Sequence, residues 1–235
     1  FWVNMPDFAS STQSLQLQRG VGTSTNGAGA FGASLNMLTD AFSEEAYAKI
    51  SSSVGSFNTL RSNVKFSTGL MNDHFEFSGR LSRVTSDGYV DRASSELESY
   101  FLQGTYKDDN TLIKALLFGG HEITYQAWNG ITADQLEDNR TYNSAGEYTD
   151  DNGDTQYYEN EVDNYKQDHF QLHWYETWNS AWNTHLAVHY TRGRGFFEQY
   201  REEDDFATYG LEPFTVNGEL VETTDLIRRR WLDND

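Results

Sequence analysis

Four histidines are the side chains of this sequence best suited to metal chemistry. His169 and His173 lie in one segment and His185 and His189 in the next, at alternating positions of two predicted strands. Imidazole is a common ligand of transition metals. Residues four apart in a strand are separated by roughly 13 Å, so one ion cannot join both histidines of a segment. One histidine from each strand remains an alternative pair, but a polar strand face is the preferred interpretation.

A run of acidic residues in a long hydrophilic segment is the second candidate. Asp150-Asp151-Asn152-Gly153-Asp154 presents the hard oxygen ligands that Ca²⁺ prefers. The run lacks, in the correct register, the Glu at the twelfth position of an EF-hand loop. A solvated loop is therefore favoured, with Ca²⁺ binding as the alternative. Because no G-x-S-x-G or paired-acid motif stands in a convincing context, the sequence predicts no enzyme and no catalytic, metal or cofactor site.

The stretch from Gln18 to Thr39 is rich in glycine and other small residues. Gly27 to Gly32 spells G-x-G-x-x-G, a pattern that cradles phosphates when it opens a helix. No amphipathic helix follows it, and no Lys follows the glycines, so nucleotide binding is not expected. Dense glycine instead predicts tight turns, followed by an extended segment through Ala33, Leu35 and Met37.

Composition limits the classes of partner. The chain has 235 residues, no cysteine, and 36 acidic against 17 basic residues, a net charge of −19. This balance disfavours nucleic acid, which is bound by clusters of Lys and Arg. No stretch of eighteen apolar residues exists, so no transmembrane helix is expected. The mean hydropathy of −0.71 is still compatible with a membrane barrel, in which only one face of each strand meets lipid. The chain reads as an internal fragment of a longer protein.

Beyond Asp40, apolar and polar residues alternate, which predicts strands with one face of each kind. The consecutive Leu116, Leu117 and Phe118 are the main exception. Seven strands and the start of an eighth, from Leu226 to Trp231, are expected. The predicted apolar face includes Ile50, Val64, Phe66, Phe77, Leu102, Leu172, Leu186 and Val188.

Short and long connections alternate along these strands after the first connection, near Phe57 to Arg61. Tight turns are predicted near Asn72, near Asp109 and at 179–183, and long connections at about 86–95, 128–167 and 196–225. Short turns at one end and long loops at the other are typical of outer-membrane barrels. A soluble sandwich has no reason to collect its long loops at one end.

The glycine-rich stretch also has a specific order of residues. An Arg-Gly pair precedes a run of small residues, and a G-x-x-N-hydrophobic-x-T sequence ends it. The residues concerned are Arg19, Gly20, Gly27, Gly29, Gly32, Asn36 and Thr39. This order resembles the end of the plug domain of TonB-dependent outer-membrane receptors. The stretch departs from the family in Asp40, where a basic residue is common, and in lacking a proline after Gly20.

The resemblance implies an all-β fold: a transmembrane antiparallel β-barrel fragment preceded by the C-terminal part of a plug domain. Residues 1–40 would belong to the plug and 41–235 to the barrel, with about 8 of an implied 22 strands. Leu116 to Phe118 would then be apolar because the plug covers their inner face. The implied setting is the outer membrane of a Gram-negative bacterium, with outer-membrane lipid as a partner. The implied energy source is the TonB-ExbB-ExbD complex, acting through a part of the receptor outside this sequence.

The resemblance further implies import of a scarce nutrient. A ferric siderophore or another metal chelate is the first expectation, and cobalamin or an oligosaccharide the next. A rival from another class is a soluble or cell-surface β-sandwich that binds glycans. The candidate ligand contacts, in the plug and at the bases of the loops, are Phe1, Trp2, Met5, Tyr125, Trp128, Asn129, Arg192 and Arg194. Local packing and loop support are the alternatives for these residues.

Overall fold

The computed structural model describes residues 5–20 and 32–234, and nearly all of its regular structure is β-strand. A 3-10 turn at Phe8–Ser11 leads into a hairpin of β1 (Thr12–Arg19) and β2 (Ala33–Thr39). The all-β fold class and the predicted extended segment through Ala33, Leu35 and Met37 are confirmed. No helix in the described part of the chain is long and apolar enough to cross a membrane.

Eight further strands form one antiparallel sheet in which every strand pairs with its neighbours in sequence. In chain order, the eight strands are β3 (Ala46–Val54), β4 (Leu60–Thr68), β5 (Phe75–Ser86), β6 (Ser95–Lys107), β7 (Thr111–Tyr125), β10 (Val162–Asn179), β11 (Trp182–Asp205) and β14 (Thr223–Asn234). The connection between β7 and β10 contains α1 (Ala133–Asp138), β8 (Glu147–Thr149) and β9 (Thr155–Tyr157), and the connection between β11 and β14 contains β12 (Phe214–Val216) and β13 (Glu219–Val221). The number of strands agrees with the prediction. Within residues 5–20 and 32–234, β3 and β14 are the unpaired edges of an open sheet.

The connections separate into two ends of the sheet. Residues 69–74, 108–110 and 180–181 make tight turns at one end, called here the turn end. Residues 55–59, 87–94, 126–161 and 206–222 connect strands at the other, called the loop end. There the amide of Asn58 donates to Asp87 at 2.6 Å, which ties the two shortest loop-end connections together. After the first connection, 55–59, the predicted alternation of short and long connections is confirmed.

One face of the sheet, called here the outer face, is apolar and uncovered. On β11, Leu186 and Val188 are 53% and 57% exposed, although both belong to a regular strand. Phe77 of β5 and Leu172 of β10 are also exposed. Alternation places these residues on one side of the pleat, as the sequence predicted.

The opposite face, called the inner face, is polar and partly covered by residues 5–11, called here the amino-terminal segment. Its apolar centre is the buried cluster Phe101, Leu116 and Phe118, against which Met5 and Phe8 pack. The ring of Phe8 lies 4.9 Å from that of Phe118. Leu116 and Phe118 thus point inward while Leu117 points outward, which explains why three consecutive residues of β7 are apolar.

Candidate functional site

Asp7 joins the amino-terminal segment to the inner face. Its carboxylate pairs with the guanidinium of Arg61 at 3.1 Å and lies 3.5 Å from that of Arg80. The hydroxyl of Ser82 also donates to it, as does that of Ser10 at 2.7 Å. Burial raises the pKa of Asp7, but the hydrogen bonds from Ser82, Ser10 and Arg61 outweigh burial and leave the pKa below its usual value.

Arg80 is the buried cation of this contact. Only 1% of the residue is exposed. Its Nε donates to the hydroxyl of Ser11 at 2.6 Å, and its Nη1 donates to the hydroxyl of Ser99 at 3.0 Å. A buried guanidinium requires partners for its charge and its N–H groups. Two of those partners, Asp7 and Ser11, come from the amino-terminal segment. Burial of the charge of Arg80 on β5 therefore depends on the segment being docked.

Pro6 of the amino-terminal segment lies against Gly120 of β7. A Cβ atom at position 120 would lie 2.5 Å from Cγ of Pro6 and 2.6 Å from the carbonyl oxygen of Glu98. Side chains cannot approach so closely, so glycine at position 120 is what allows the segment to reach the strand. The contact therefore sets the position of the amino-terminal segment along β7 on the inner face.

Above Gly120, toward the loop end, the inner face carries a wall of aromatic and charged residues. Phe197 of β11 lies directly opposite Asp163 of β10 on one side and Arg230 of β14 on the other. The indole of Trp128 meets the ring of Phe197 edge to face at 6.1 Å, and the guanidinium of Arg230 lies 5.7 Å from the centre of that ring. Trp128 is 58% exposed. We call Trp128, Asp163, Phe197 and Arg230 the inner wall site.

The inner wall site is supported by a hydrogen-bonded layer on its loop-end side. Arg228 donates to the side-chain oxygen of Gln199, and Gln199 donates to that of Gln126 at 3.1 Å. The amide of buried Gln126 also donates to the carbonyl oxygens of Val162 and Glu198, at 3.2 and 3.0 Å. This layer ties three strands together and holds the aromatic and cationic groups in place.

Glu122 lies on the turn-end side of the inner wall site. It is on β7 beside Tyr165, one inner-face position below Thr124, which is opposite Asp163. Only 6% of Glu122 is exposed. Burial raises the pKa of Glu122 to about 7, and the charge of Asp163 adds to the effect. The inner face therefore presents a carboxyl group that titrates near neutral pH between the amino-terminal segment and the cationic part of the wall.

The predicted plug residues that the structure describes belong to the β1–β2 hairpin. Arg19 ends β1, and the N–H of Gly20 donates to the carbonyl oxygen of Gly32 at 2.8 Å. Asn36 and Thr39 lie in β2, opposite Gln16 and Thr12. Gly20 has a φ of +77°, which explains a glycine there. Gly27 and Gly29, like the predicted ligand contacts Phe1 and Trp2, lie outside the described residues.

Of the predicted ligand contacts, Met5 and Trp128 lie on the inner face. Met5 packs on the buried cluster of the inner face rather than standing clear of it. Trp128 is exposed and belongs to the inner wall site. The two therefore lie on the same face, and Trp128 has the more accessible side chain.

Tyr125 and Asn129 support the long loop after β7. The hydroxyl of buried Tyr125 donates to the carbonyl oxygens of Ala145 and Tyr158, at 3.0 and 2.8 Å. The amide of Asn129 donates to the hydroxyl of Ser144 at 3.1 Å. These contacts favour the loop-support alternative that the sequence left open for both residues.

Arg192 and Arg194 lie on the outer face. They follow Val188 and Tyr190 at every second position of β11, and therefore lie on the same face as these two residues. Arg192 stands opposite Asp168 of β10, and Arg194 stands opposite Lys166. Arg194 pairs with Asp233 at 3.3 Å. Because their side chains leave the pleat on the face opposite the inner wall site, a role for Arg192 or Arg194 in contacting a ligand on the inner face is not supported.

The histidines lie on the inner face, where three of them stack on neighbouring aromatic rings. His173, Tyr175 and His185 form a stack in which the rings of Tyr175 and His185 are 4.1 Å apart. The ring of His169 stacks on Phe118 at 4.7 Å. In residues 5–20 and 32–234 no three ligating side chains converge as a metal would require.

Asp150 of the acidic run serves its own turn. Its Oδ1 accepts from the N–H groups of Asn152 and Asp154, both at 2.9 Å, at the tip of the β8–β9 hairpin. These bonds stabilise the turn whether or not a metal is bound. Ca²⁺ binding by the run stays an alternative.

Sequence reasoning missed Glu122, Phe197, Arg228 and Arg230. Arg228 to Arg230 are consecutive in the sequence, and only the register with β11 shows which of them face inward.

No known family model and no curated protein matches this chain.

Proposed function

We propose that this chain is part of a TonB-dependent outer-membrane receptor, in which a plug fills a transmembrane barrel and a scarce nutrient is imported. One observation carries the proposal: the amino-terminal segment is seated on the polar inner face, while the outer face is apolar and uncovered. A barrel exposes its apolar face to lipid and its polar face to the lumen. A sandwich would instead bury Phe77 and Leu186 against a second sheet.

The path of the apolar residues across the sheet supports tilted strands. Residues directly opposite one another in register form a row from β3 to β11. The row on the outer face is Ile50, Val64, Leu81, Tyr100, Gly119, Asp168 and Arg192. It begins apolar and ends charged, so a single row does not stay at one depth. Strands of membrane barrels tilt by about 35–45°, and such a tilt carries a row from the hydrocarbon to its surface.

In this arrangement the lipid-facing segments are the apolar stretches of each strand. On β7 the stretch runs over 111–117, on β10 over 170–174 and on β11 over 182–190, and Glu176 follows it on the outer face of β10. Trp178 and Trp182 lie at the turn end, and Phe170 and Tyr190 lie at the loop-end limit of the apolar stretches, part-way along their strands. Aromatic residues at both borders are typical of barrels in a bilayer. The inner wall site lies beyond these stretches, where an external ligand arrives before it meets the plug.

The inner wall site favours an anionic ligand with flat or apolar parts. Arg230 of the site and Arg228 of the layer beside it supply cationic groups, and Trp128 and Phe197 supply ring faces for stacking. A ferric siderophore or another anionic metal chelate has this chemistry. Cobalamin and oligosaccharides remain the alternatives within the same family.

Growth of a strain lacking the gene tests the proposal directly. Cells that depend in turn on ferric siderophores, cobalamin or single oligosaccharides are compared with and without the full-length gene. We expect full-length protein in the outer membrane, extractable only with detergent, and growth that requires it on one class of nutrient. Full-length protein that is released without detergent and binds glycans in solution would instead establish the rival β-sandwich.

A further inference from the structure

Opposite charges stand on either side of the Phe197 ring in the inner wall site. Asp163 of β10 is directly opposite Phe197, and Arg230 of β14 is directly opposite it on the other side. Neighbouring strands are about 4.8 Å apart, so the backbones of Asp163 and Arg230 are separated by roughly 10 Å. Within residues 5–20 and 32–234, neither charge forms an ion pair. The row therefore presents an anion and a cation with an aromatic ring between them.

Glu122 adds a second carboxyl group on the Asp163 side. Thr124 is directly opposite Asp163, so Glu122, two residues before it, is the diagonal neighbour of Asp163 on the inner face. Glu122 is only 6% exposed. In the part of the chain that the structure describes, its carboxyl group accepts no hydrogen bond and pairs with no cation. Because a buried carboxylate without such a partner is costly, this side of the site lacks a positive charge.

Tyr165 forms a flat floor beside the two carboxyl groups. It stands directly opposite Glu122 on β10, and its ring extends over β11. A Cβ atom at position 195 would lie 2.7 Å from Cδ2 of this ring, and one at position 193 would lie 2.8 Å from its Cζ. Glycine at both positions is what lets the ring lie along the sheet. The ring is half-buried, and an aromatic face next to carboxyl groups attracts an ammonium ion.

Arg228 extends the cationic side of the site. It faces inward two residues before Arg230 and donates to the side-chain oxygen of Gln199. Its buried Nε finds no acceptor in the described residues. A guanidinium with an N–H group to spare suits a carboxylate or a phosphate. The two sides of the Phe197 ring thus lack charges of opposite sign, a cation on one side and an anion on the other.

We propose that the inner wall site recognises a zwitterionic ligand. The ammonium group of the ligand lies on the ring of Tyr165, between Glu122 and Asp163. Its anionic group lies at Arg230, and its flat or apolar centre stacks on Phe197. The inference names the ligand class of the site in the proposed function, and it rests on that function for the route by which a nutrient reaches the inner face.

The protonation of Glu122 gives this binding mode a signature. The ionisable groups that face Glu122 from β10 are Asp163 and Tyr165, β6 presents the uncharged Leu97 opposite it, and Asp7 of the amino-terminal segment is already paired with two guanidinium groups. Burial and the charge of Asp163 raise the pKa of Glu122 to about 7. A nearby ammonium group favours the carboxylate. Binding of a zwitterion at neutral pH should therefore release a proton.

Binding of the tripeptide Gly-Phe-Gly to the full-length protein in detergent, measured by isothermal titration calorimetry, tests the site. The extended tripeptide spans roughly 10 Å between its ammonium and carboxylate groups. N-acetyl-Gly-Phe-Gly lacks the ammonium group, and Gly-Phe-Gly amide lacks the carboxylate. We expect each analogue to bind about tenfold more weakly than the tripeptide. At pH 7 we expect the tripeptide to release about half a proton, seen as a binding heat that depends on the ionisation heat of the buffer.

The double variant Glu122→Gln/Asp163→Asn tests the carboxyl groups. It lowers the affinity for Gly-Phe-Gly about tenfold, abolishes the proton release and does not weaken binding of N-acetyl-Gly-Phe-Gly. Glu98→Gln, which removes an exposed carboxylate from the outer face, changes none of these results. Equal affinity of the wild type for all three probes, or an equal loss for the tripeptide and its acetylated form in the double variant, overturns the inference.

The outcomes separate this inference from the receptor proposal. If growth requires the gene on one class of nutrient but Gly-Phe-Gly binds no better than its analogues, the zwitterion site fails and the receptor proposal stands. If the full-length protein is released without detergent and still prefers the tripeptide in the same way, the receptor proposal fails and the zwitterion site stands.

Discussion

Pro6 lies against Gly120 so closely that no side chain fits between them: a Cβ atom at position 120 would be 2.5 Å from Cγ of Pro6. This contact joins residues 114 positions apart in the sequence. It places the amino-terminal segment beside the apolar cluster of the inner face and just below Glu122. The level of the segment relative to the wall thus depends on the absence of one methyl group.

Gly120→Ala tests this contact. We expect the amino-terminal segment to lift from the sheet at a cost of about 1–3 kcal/mol, because the added methyl overpacks the site. Hydrogen exchange of the amides of β1 in the full-length protein measures the change. Since the methyl also approaches the carbonyl of Glu98, Pro6→Gly is combined with Gly120→Ala to isolate the Pro6 part. Gly104→Ala, which enters open space, serves as the control; equal effects at positions 104 and 120 would contradict the prediction.

Asp7→Asn tests the ionic part of the same interface. Removing the carboxylate leaves the buried guanidinium of Arg80 without its anion, so we expect the docking of the segment to weaken by about 3 kcal/mol. Asp40→Asn breaks the more exposed pair with Lys65 and costs less than about 1 kcal/mol. Protection of the β1 amides against exchange compares the two variants. A loss no larger for Asp7→Asn than for Asp40→Asn would mean that Arg80 is satisfied without Asp7.

The pH dependence of the docking follows from the lowered pKa of Asp7. A carboxyl group with a folded-state pKa below its unfolded value of 3.8 stabilises the fold above that unfolded value. The stabilisation is lost as the pH falls through the folded-state pKa. Acid titration of β1 protection should therefore show a loss below pH 3.8 in the wild type, and this step should be absent in Asp7→Asn.

Glu122 should have the opposite dependence on pH. Burial raises its pKa from 4.5 to about 7, so the folded state binds the proton more tightly than the unfolded state does. Stability from this group is full below pH 4.5 and falls as the pH rises toward 7. We expect Glu122→Gln to raise the free energy of unfolding by about 1–3 kcal/mol at pH 8 and by little at pH 4.5.

Thermal unfolding of the full-length protein in detergent, with variant and wild type compared at each pH, measures this effect. Glu98→Gln is the control, because it removes an exposed carboxylate from the outer face of the adjacent strand. A gain for Glu122→Gln that is equal at pH 4.5 and pH 8 would show that the carboxyl group does not titrate in this range.

Tyr125→Phe separates loop support from ligand contact. The variant removes the hydroxyl that donates to the carbonyls of Ala145 and Tyr158, which we expect to cost about 1–3 kcal/mol of local stability in 126–161. Faster proteolysis of this loop is the readout. Asn129→Ala, whose amide makes an exposed bond, has a smaller effect. Reduced nutrient binding with unchanged proteolysis would assign Tyr125 to the ligand instead.

The strands, their two faces and the two classes of connection were predictable because alternation with period two is local in the sequence. The outward position of Arg192 and Arg194 follows the same parity, counted onward from Tyr190. The inner wall site was not predictable in this way. Whether Arg230 or Arg229 faces inward depends on the register between β14 and β11, which lie on either side of a long loop. The Pro6–Gly120 contact likewise arises only when the amino-terminal segment docks.

Trp128→Ala and Arg230→Gln test the inner wall site as the place where a ligand is first held. Trp128 supplies an exposed ring beside Phe197, and Arg230 supplies a cation over the same ring, so each variant removes one half of the recognition of an anionic, flat ligand. We expect each to weaken binding about tenfold, as loss of aromatic and arginine contacts does in other interfaces. Arg140→Gln removes a charge from the exposed loop after β7 and should leave binding unchanged. Binding of the nutrient identified by the growth experiment, measured on whole cells without energy for uptake, distinguishes recognition from transport. Unchanged affinity in both variants would move the ligand away from this wall and leave the cations of β14 with a structural role alone.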